Sequence, residues 1–249
     1  MFKKPGQITG LVYNFYMLYV LLILGVIFLK AYNKMDKVDW GLIAKSFLIT
    51  LSSLSISISL SLVVSVFVAY EIIYYYKYVQ GALILLSTIT AAIPPVIIGI
   101  ALLVLFKSVA FTFPALIVVQ FTVATPFIIR GIVITFSMLD YDMLEAAMCD
   151  GADGFKLLWY IVLPVGWKGV VTSLLTGAAR ALSEVGATAL FGGLIEGKTL
   201  TLACAVFYYT TEGNLDEAFV AAFITCLAAL MLFGSAQILE RLGKKEGGF

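Results

Sequence analysis

Two oppositely charged residues interrupt an apolar stretch in the second half of the chain. Arg180 and Glu184 lie four positions apart within residues 170–191, a spacing that places two side chains on one face of a helix. A charge at the centre of a membrane-spanning helix costs about 2.5–3.5 kcal/mol, so it is kept where it is paired, hydrated or functional. The pair therefore predicts either a structural ion pair or a charged point at which the arginine attracts an anion.

A polar stretch at residues 145–164 separates two apolar segments and could present a shaped surface to a soluble partner. Exposed apolar patches usually mark interaction sites, and this stretch holds four large apolar side chains that would form one. They are Phe155, Leu157, Leu158 and Trp159. A pair of helices lying flat at the lipid interface is the alternative.

Local signals divide this polar stretch into two short helices. Asp140 or Asp142 can cap the first helix, because a carboxylate accepts hydrogen bonds from the N–H groups at a helix start. Gly151 would end that helix, since glycine tolerates the backbone conformation that follows one. Asp153 would cap the second helix, which we expect Pro164 to stop.

The sequence from Gly192 to Thr199, GGLIEGKT, satisfies the G-x-x-x-x-G-K-[ST] pattern of phosphate-binding loops. That pattern holds nucleotide phosphates when it joins a strand to a helix in an α/β domain. Here a long apolar segment precedes it, and residues 200–249 are too few for such a domain. We therefore expect no nucleotide site in this chain.

The composition is that of an integral membrane protein. Of the 249 residues, 62% are hydrophobic and 12% charged, whereas soluble domains average about 45–50% and 25%. A net charge of +1 gives no indication of nucleic acid binding. The chain has no histidine, and its three cysteines are scattered at positions 149, 204 and 226, so no metal site is expected.

Six apolar segments are long enough to cross a bilayer as helices, which takes about 20 residues. They are Leu11–Leu29, Phe47–Ala69, Ala82–Phe106, Pro114–Met138, Val170–Phe191 and Ala218–Leu239. Lys3 and Lys4 precede the first segment, and basic residues concentrate on the cytoplasmic side of membrane proteins. We therefore expect a multi-pass protein of the cell membrane with both termini in the cytoplasm.

Two of these segments contain unusual residues. The second contains SLSISISLSL, which alternates with the period of a strand. The length of the apolar segment favours a helix, in which Ser53, Ser57 and Ser61 would face a neighbouring helix. In the third segment, Pro94 and Pro95 would produce either a static kink or a break that lines a passage or serves as a hinge.

The polar stretch resembles the cytoplasmic EAA loop of permeases from binding-protein-dependent ABC importers. The shared spacing is Glu-Ala-Ala, three residues, Gly, nine residues, Ile, one residue, Leu-Pro. The matching residues are Glu145, Ala146, Ala147, Gly151, Ile161, Leu163 and Pro164.

The resemblance covers about Lys45 to Arg241, and three further stretches look most like tungstate permeases and, less closely, molybdate permeases. These stretches are ARALSEVGATALFGG at 179–193, PPVIIG at 94–99 and TLTL at 199–202. Leu194 stands where those permeases commonly carry an asparagine.

The resemblance implies an all-α integral membrane protein with six transmembrane helices, a cytoplasmic coupling-helix (EAA) loop and the type I ABC importer fold. Residues 1–44 would form an N-terminal region with the first helix, 45–241 the ABC transmembrane domain, and 242–249 a cytoplasmic tail. It further implies a homodimer of permeases, a cytoplasmic ABC ATPase dimer that docks on the EAA loops, and an extracellular or periplasmic binding protein that delivers the anion. ATP and Mg would bind to the ATPase, so this chain would be a non-catalytic subunit without a cofactor.

By the same resemblance, the matching EAA residues shape the surface on which the ATPase docks. Five other residues would border the translocation pathway: Arg180, Ser183, Glu184, Pro94 and Pro95.

Other transport functions and an enzymatic one remain as alternatives. The chain could serve an importer of sulfate, phosphate or another small solute. A secondary transporter or channel usually shows inverted repeats, and the sequence has no convincing internal repeat. A membrane enzyme would need a cluster of catalytic groups, which the sequence does not offer.

Overall fold

A computed structural model describes residues 7–76 and 78–246, and over these ranges the chain forms helices joined by loops and turns. The α-helices are α1 (Gln7–Tyr32), α2 (Trp40–Tyr74), α3 (Gln80–Thr88), α4 (Pro95–Leu105), α5 (Phe113–Ser137), α6 (Tyr141–Cys149), α7 (Gly154–Leu157), α8 (Leu163–Leu182), α9 (Leu202–Thr211) and α10 (Leu215–Glu246). The predicted all-α fold is confirmed. Lys3 and Lys4, on which the predicted orientation depends, lie outside the described residues.

Five of the described helices are each long and apolar enough to cross a membrane. They are α1, α2, α5, the continuous helix Gly154–Leu182, and α10. Counting the bent pair of α3 and α4 as one span raises the number to six. Six spans are therefore plausible, but the third and fifth differ in shape from the predicted ones.

The third predicted span, Ala82–Phe106, is broken. Helix α4 is bent by 92° relative to the helical stretch Gln80–Ala91, and it begins at Pro95. Proline cannot continue a helix, because it lacks an N–H and its ring clashes with the preceding turn, whereas it fits the first turn of a new one. Of the two predicted alternatives, the structure shows a break rather than a kink.

The fifth predicted span, Val170–Phe191, begins and ends at later residues than the helix in the structure. The helix runs from Gly154 to Leu182 and becomes irregular beyond that residue. The prediction that Pro164 stops the preceding short helix is wrong, because Pro164 lies in the first turn of α8. A π-helical turn at Leu158–Val162 comes just before it, and this wider turn accommodates a residue without an N–H.

Helix α2 packs against α5 through a stripe of small polar residues. Ser53, Ser57 and Ser61 are fully buried, as predicted. The Ser57 hydroxyl donates to Gln120 Oε1 at 3.3 Å, and the Thr125 hydroxyl donates to Ser61 Oγ at 3.1 Å. Small side chains let the two backbones approach closely, and their hydroxyls hold the helices in register.

Helix α5 is the centre of the bundle, with α2 on one side and α8 on the other. A Cβ added at Gly131 of α5 would collide with the side chain of Ser173 in α8. A Cβ added at Gly169 of α8 would collide with the side chain of Thr135 in α5. The two glycines therefore set the distance between these helices.

Helix α1 lies at the periphery. Its apolar window has no buried residue, and it packs chiefly against α10, where the rings of Phe28 and Phe223 are 5.4 Å apart. Just beyond its end, Lys34 pairs with Asp216 at 2.9 Å. The helix is therefore attached to the bundle along one side only.

Candidate functional site

The loop region, defined here as residues 139–157 with helices α6 and α7, is shaped by two carboxylate caps. The Asp140 side chain accepts a hydrogen bond from the backbone N–H of Asp142 at 3.0 Å. The Asp153 side chain accepts one from the N–H of Lys156 at 3.1 Å. Both caps were predicted from sequence, and they fix where the two helices begin.

Gly151 ends α6 in the left-handed backbone conformation, with φ of +87°. Its N–H donates to Met148 O, and the N–H of Ala152 donates to Ala147 O, both at 3.0 Å. This Schellman arrangement satisfies the last carbonyls of the helix. A Cβ at Gly151 would meet nothing within 4 Å, so the backbone conformation, and not space, favours glycine here.

The outer face of the loop region is exposed and partly apolar. Glu145 and Ala146 are exposed on α6, while Phe155 and Trp159 are 64% and 49% exposed with their rings 6.0 Å apart. The predicted apolar patch is wrong in two members, because Leu157 at the end of α7 and Leu158 at the start of the following turn are buried in the core.

The last residues of the EAA pattern lie in a helix rather than in a loop. Ile161 and Leu163 are half-buried and pack against the core, as does Ala147 of α6. Pro164 is exposed in the first turn of α8. Because α7 continues through the π-helical turn into α8, a displacement of α7 must also move α8.

Tyrosines at the end of α2 support the loop region from behind. The Tyr70 hydroxyl donates to Gly154 O at 2.7 Å, and the Tyr74 hydroxyl donates to Phe136 O at 3.2 Å. A Cβ at Gly154 would collide with the hydroxyl of Tyr75. Sequence reasoning missed these contacts, since 84 positions separate Tyr70 from Gly154; the run of tyrosines at the end of a predicted span was the available signal.

The interrupted region, defined here as residues 94–99 and 180–192, contains the predicted ion pair. Arg180 Nη1 lies 2.9 Å from Glu184 Oε2. The two residues do not share a helix face as predicted, because α8 ends at Leu182. Glu184 Oε1 instead accepts a hydrogen bond from the N–H of Ala187 at 3.0 Å. Through its two oxygens this carboxylate connects Arg180 in α8 to the helical turn that follows the irregular backbone.

The two charges of this pair differ in exposure. The Glu184 side chain is 2% exposed and that of Arg180 is 30% exposed. The Arg180 guanidinium carbon also lies 5.9 Å from the centre of the Phe127 ring, and Ser183, which is exposed, donates to Arg180 O at 3.1 Å. A partly exposed guanidinium retains hydrogen-bond donors for an anion.

The structure brings the broken third span against this ion pair. A Cβ added at Gly186 would lie 3.0 Å from Val96 Cγ2 and 3.6 Å from Pro95 Cβ. A Cβ added at Gly99 would lie 2.9 Å from Ala187 Cα. Irregular backbone at membrane depth is tolerated where protein buries it or where it lines a cavity, and here the two irregular stretches cover each other.

A groove of about 680 Å³ runs along α5 and α8 from the neighbourhood of Arg180 towards the loop region. Phe127 and Thr176 line one end, and Met138, Trp167 and Glu240 line the other. The Thr172 hydroxyl, also in this lining, is buried and has no hydrogen-bond partner among the described residues. The groove is mainly apolar but carries polar side chains along its length.

The phosphate-loop sequence folds into a turn closed on itself. The N–H groups of Lys198, Thr199 and Leu200 all donate to Ile195 O. Thr199 is fully buried, and its hydroxyl donates to Gly193 O at 3.3 Å. Helix α9 begins only at Leu202, so the turn does not lead directly into a helix as a phosphate-binding loop does, and several of its N–H groups are already bonded.

Within residues 7–76 and 78–246, no three Cys, Asp or Glu side chains are grouped to hold a metal ion. Cys204 is buried in α9, Cys226 is half-buried and Cys149 is exposed.

The chain is similar to several bacterial permeases. It is 30% identical over 172 residues to the molybdenum transport system permease protein ModB of Haemophilus influenzae, covering 62% of this chain and 75% of that protein. It is 32% identical over 159 residues to YvgM of Bacillus subtilis, covering 57% and 69%. It is 28% identical over 180 residues to the sulfate transport system permease protein CysW of Escherichia coli, covering 66% and 62%.

The fold is shared with a solved transporter. The chain superposes on a chain of a bacterial alginate ABC transporter, crystallised in complex with an alginate-bound periplasmic protein, with a TM-score of 0.66. The match covers 97% of this chain and 94% of the other at 14% sequence identity, and so concerns the fold alone. Residues 61–243 match the family described as binding-protein-dependent transport system inner membrane component. The chain belongs to this family and is a multi-pass permease subunit of an ABC importer, as the EAA pattern predicted.

Proposed function

We propose that this permease imports a small oxyanion, with tungstate as the first candidate and molybdate as the second. The proposal rests mainly on the position of Arg180. Its partly exposed guanidinium is held beside irregular backbone by the buried carboxylate of Glu184. The relatives are consistent with it, because ModB is named for molybdenum and CysW for sulfate. Sulfate is therefore the third candidate.

A cytoplasmic ABC ATPase dimer would supply the energy by docking on the loop region. Glu145, Ala146 and Gly151 lie on its exposed face, and the exposed rings of Phe155 and Trp159 add apolar surface for a partner. ATP and Mg would bind to the ATPase and not to this chain. This assignment places the loop region and both termini in the cytoplasm.

Two copies of the permease would form the pathway between them. The groove along α5 and α8 opens on one flank of a single chain, and a second copy would close it into a passage. Arg180, Ser183 and Glu184 would border this passage, with Pro94 and Pro95 at the adjoining break. A binding protein on the opposite side would deliver the anion, and alternating access would follow the movement of the loop region.

Uptake by the reconstituted complex tests this function. The permease would be purified with its ATPase, placed in liposomes, and supplied with the binding protein and with tungstate, molybdate or sulfate in turn. ATP-dependent accumulation of tungstate or molybdate, measured by elemental mass spectrometry, is the expected result. Accumulation of sulfate alone, or of none of the three, would contradict the proposed substrate.

Arg180→Gln provides a matched variant of this experiment, because glutamine keeps a hydrogen-bond donor but removes the charge. We expect uptake to fall about tenfold or more, since hydrogen bonds to charged groups contribute about 1.5–3 kcal/mol. Arg130→Gln is the control, because Arg130 is an exposed cation on α5 outside the interrupted region. Equal uptake by the Arg180 variant and the wild type would remove Arg180 from the pathway.

A further inference from the structure

Helix α2 is bound to the loop region at one end by a hydrogen bond from Tyr70. The Tyr70 hydroxyl donates to Gly154 O at 2.7 Å, and the Tyr70 side chain is 4% exposed. Gly154 begins α7, which continues into α8. A movement of the loop region is therefore passed directly to α2.

The other end of α2 is bound to the start of α9. Thr50 Oγ1 accepts a hydrogen bond from the backbone N–H of Leu202 at 2.7 Å and donates to Ser46 O at 2.7 Å. Leu202 is fully buried, so its N–H has no access to water if this acceptor is lost. Thr50 and Tyr70 are 20 positions apart, which corresponds to about 30 Å along a helix and to the thickness of the hydrocarbon core.

The start of α9 lies beside the interrupted region. Cys204 Sγ is 4.0 Å from Glu184 O and 3.9 Å from Val185 O, and the Thr201 hydroxyl caps α9 by accepting from the Cys204 N–H at 3.4 Å. Contacts thus run without a gap from Gly154 through Tyr70, α2 and Thr50 to the backbone of Glu184.

We propose that Tyr70 and Thr50 are positioning residues that couple the loop region to the interrupted region through α2. Helix α2 is uninterrupted between the two contacts, so it moves as one rod, and its buried serine stripe makes α5 move with it. When the ATPase displaces the loop region, Tyr70 carries α2 along. Thr50 then shifts the start of α9 and with it the backbone of Glu184, which holds Arg180. The inference rests on the proposed function, since it assumes a partner that moves the loop region.

The ratio of anion transported to ATP hydrolysed tests the coupling in the reconstituted complex of permease, ATPase and binding protein. Tyr70→Phe removes the hydroxyl and keeps the ring. We expect the ratio to fall about fivefold, the factor that corresponds to one neutral hydrogen bond, while ATP hydrolysis continues. Thr50→Val should lower the ratio by a similar factor. Thr50→Ser should keep the wild-type ratio, because serine keeps the hydroxyl that accepts from the Leu202 N–H.

Tyr76→Phe is the matched control, because Tyr76 stands at the same end of α2 but is 51% exposed. This variant should keep the wild-type ratio. Unchanged ratios in both Tyr70→Phe and Thr50→Val would overturn the inference, and so would parallel losses of uptake and hydrolysis that follow the amount of folded protein. Failure of the proposed function differs from failure of this inference, because the wild-type complex itself would then show no ATP-driven uptake.

Discussion

The loop region and the interrupted region differ in the contacts that dominate their shape, although Tyr70 also reaches the loop region from a distant position and Glu184 also bonds to nearby residues. In the loop region, the carboxylates of Asp140 and Asp153 and the turn at Gly151 bond within a few positions along the chain. In the interrupted region, Gly99 packs on Ala187 from a different helix. A surface built from local contacts can move as a unit without changing shape, whereas a region built from distant contacts changes when its neighbours move. This difference suits the docking surface and the gate that we propose for the two regions.

The largest effect should follow the loss of the buried carboxylate in the interrupted region. Glu184→Ala leaves Arg180 without its partner and the Ala187 N–H without its acceptor, so we expect a loss of about 3 kcal/mol of stability. The midpoint of thermal unfolding in detergent measures it. Glu184→Gln keeps the acceptor and should lose less; equal unfolding midpoints for all three proteins would mean that the pair does not stabilise the region.

A somewhat smaller effect should follow the addition of one methyl group between the two breaks. Gly99→Ala places a Cβ 2.9 Å from Ala187 Cα, where backbone must move, and overpacking of this kind costs about 1–3 kcal/mol. Gly81→Ala is the control, since a Cβ there meets nothing within 4 Å. If both variants unfolded at the wild-type temperature, the close approach of the two breaks would not hold the region together.

Gly151→Ala should act on the loop region with a smaller cost to stability. The left-handed conformation costs a residue with a Cβ about 1–2 kcal/mol, and no neighbour obstructs the methyl group. We expect ATPase binding to weaken while the purified permease unfolds only a few degrees below the wild type. Gly151→Asn should bind the ATPase more tightly than the alanine variant, because asparagine tolerates this conformation better. The reverse order of affinities would contradict the assignment of Gly151 to the ATPase-docking surface.

The smallest effect should come from the phosphate-loop sequence. Lys198→Ala removes an exposed side chain, and surface substitutions usually change stability by less than about 0.5 kcal/mol. We expect ATP hydrolysis by the assembled complex to stay at the wild-type rate. A large loss of ATP turnover would show that this turn takes part in nucleotide binding after all.

Sequence reasoning succeeded where the signal was local. Hydropathy located the apolar segments, although it missed the break in the third and the bounds of the fifth. The types of Asp140, Gly151 and Asp153 predicted caps and a helix end that depend on backbone groups a few positions away. The serine stripe of α2 was also predictable, because helical periodicity alone decides which serines share a face.

The remaining features depend on contacts that no local pattern encodes. The 92° break beside Pro94 is accompanied by close packing of Gly99 on Ala187, and hydropathy cannot distinguish a straight apolar span from two short helices. The end of α8 at Leu182 was missed because the residues that follow are as apolar as the helix. The contact of Tyr70 with Gly154 joins positions 84 apart, so no periodicity could indicate it.

Helix α1 contacts the bundle on one side only, and this affects how the protein fits membranes of different thickness. Its apolar span, Val12–Tyr32, has 21 residues and extends about 31 Å, close to the thickness of an average hydrocarbon core. In a thinner bilayer such a helix is accommodated by tilting, and α1 packs chiefly against α10 rather than against α2, α5 or α8. Helix α1 would thus adapt to the thickness of the bilayer, and the angles among α2, α5 and α8 would stay constant from one bilayer to another.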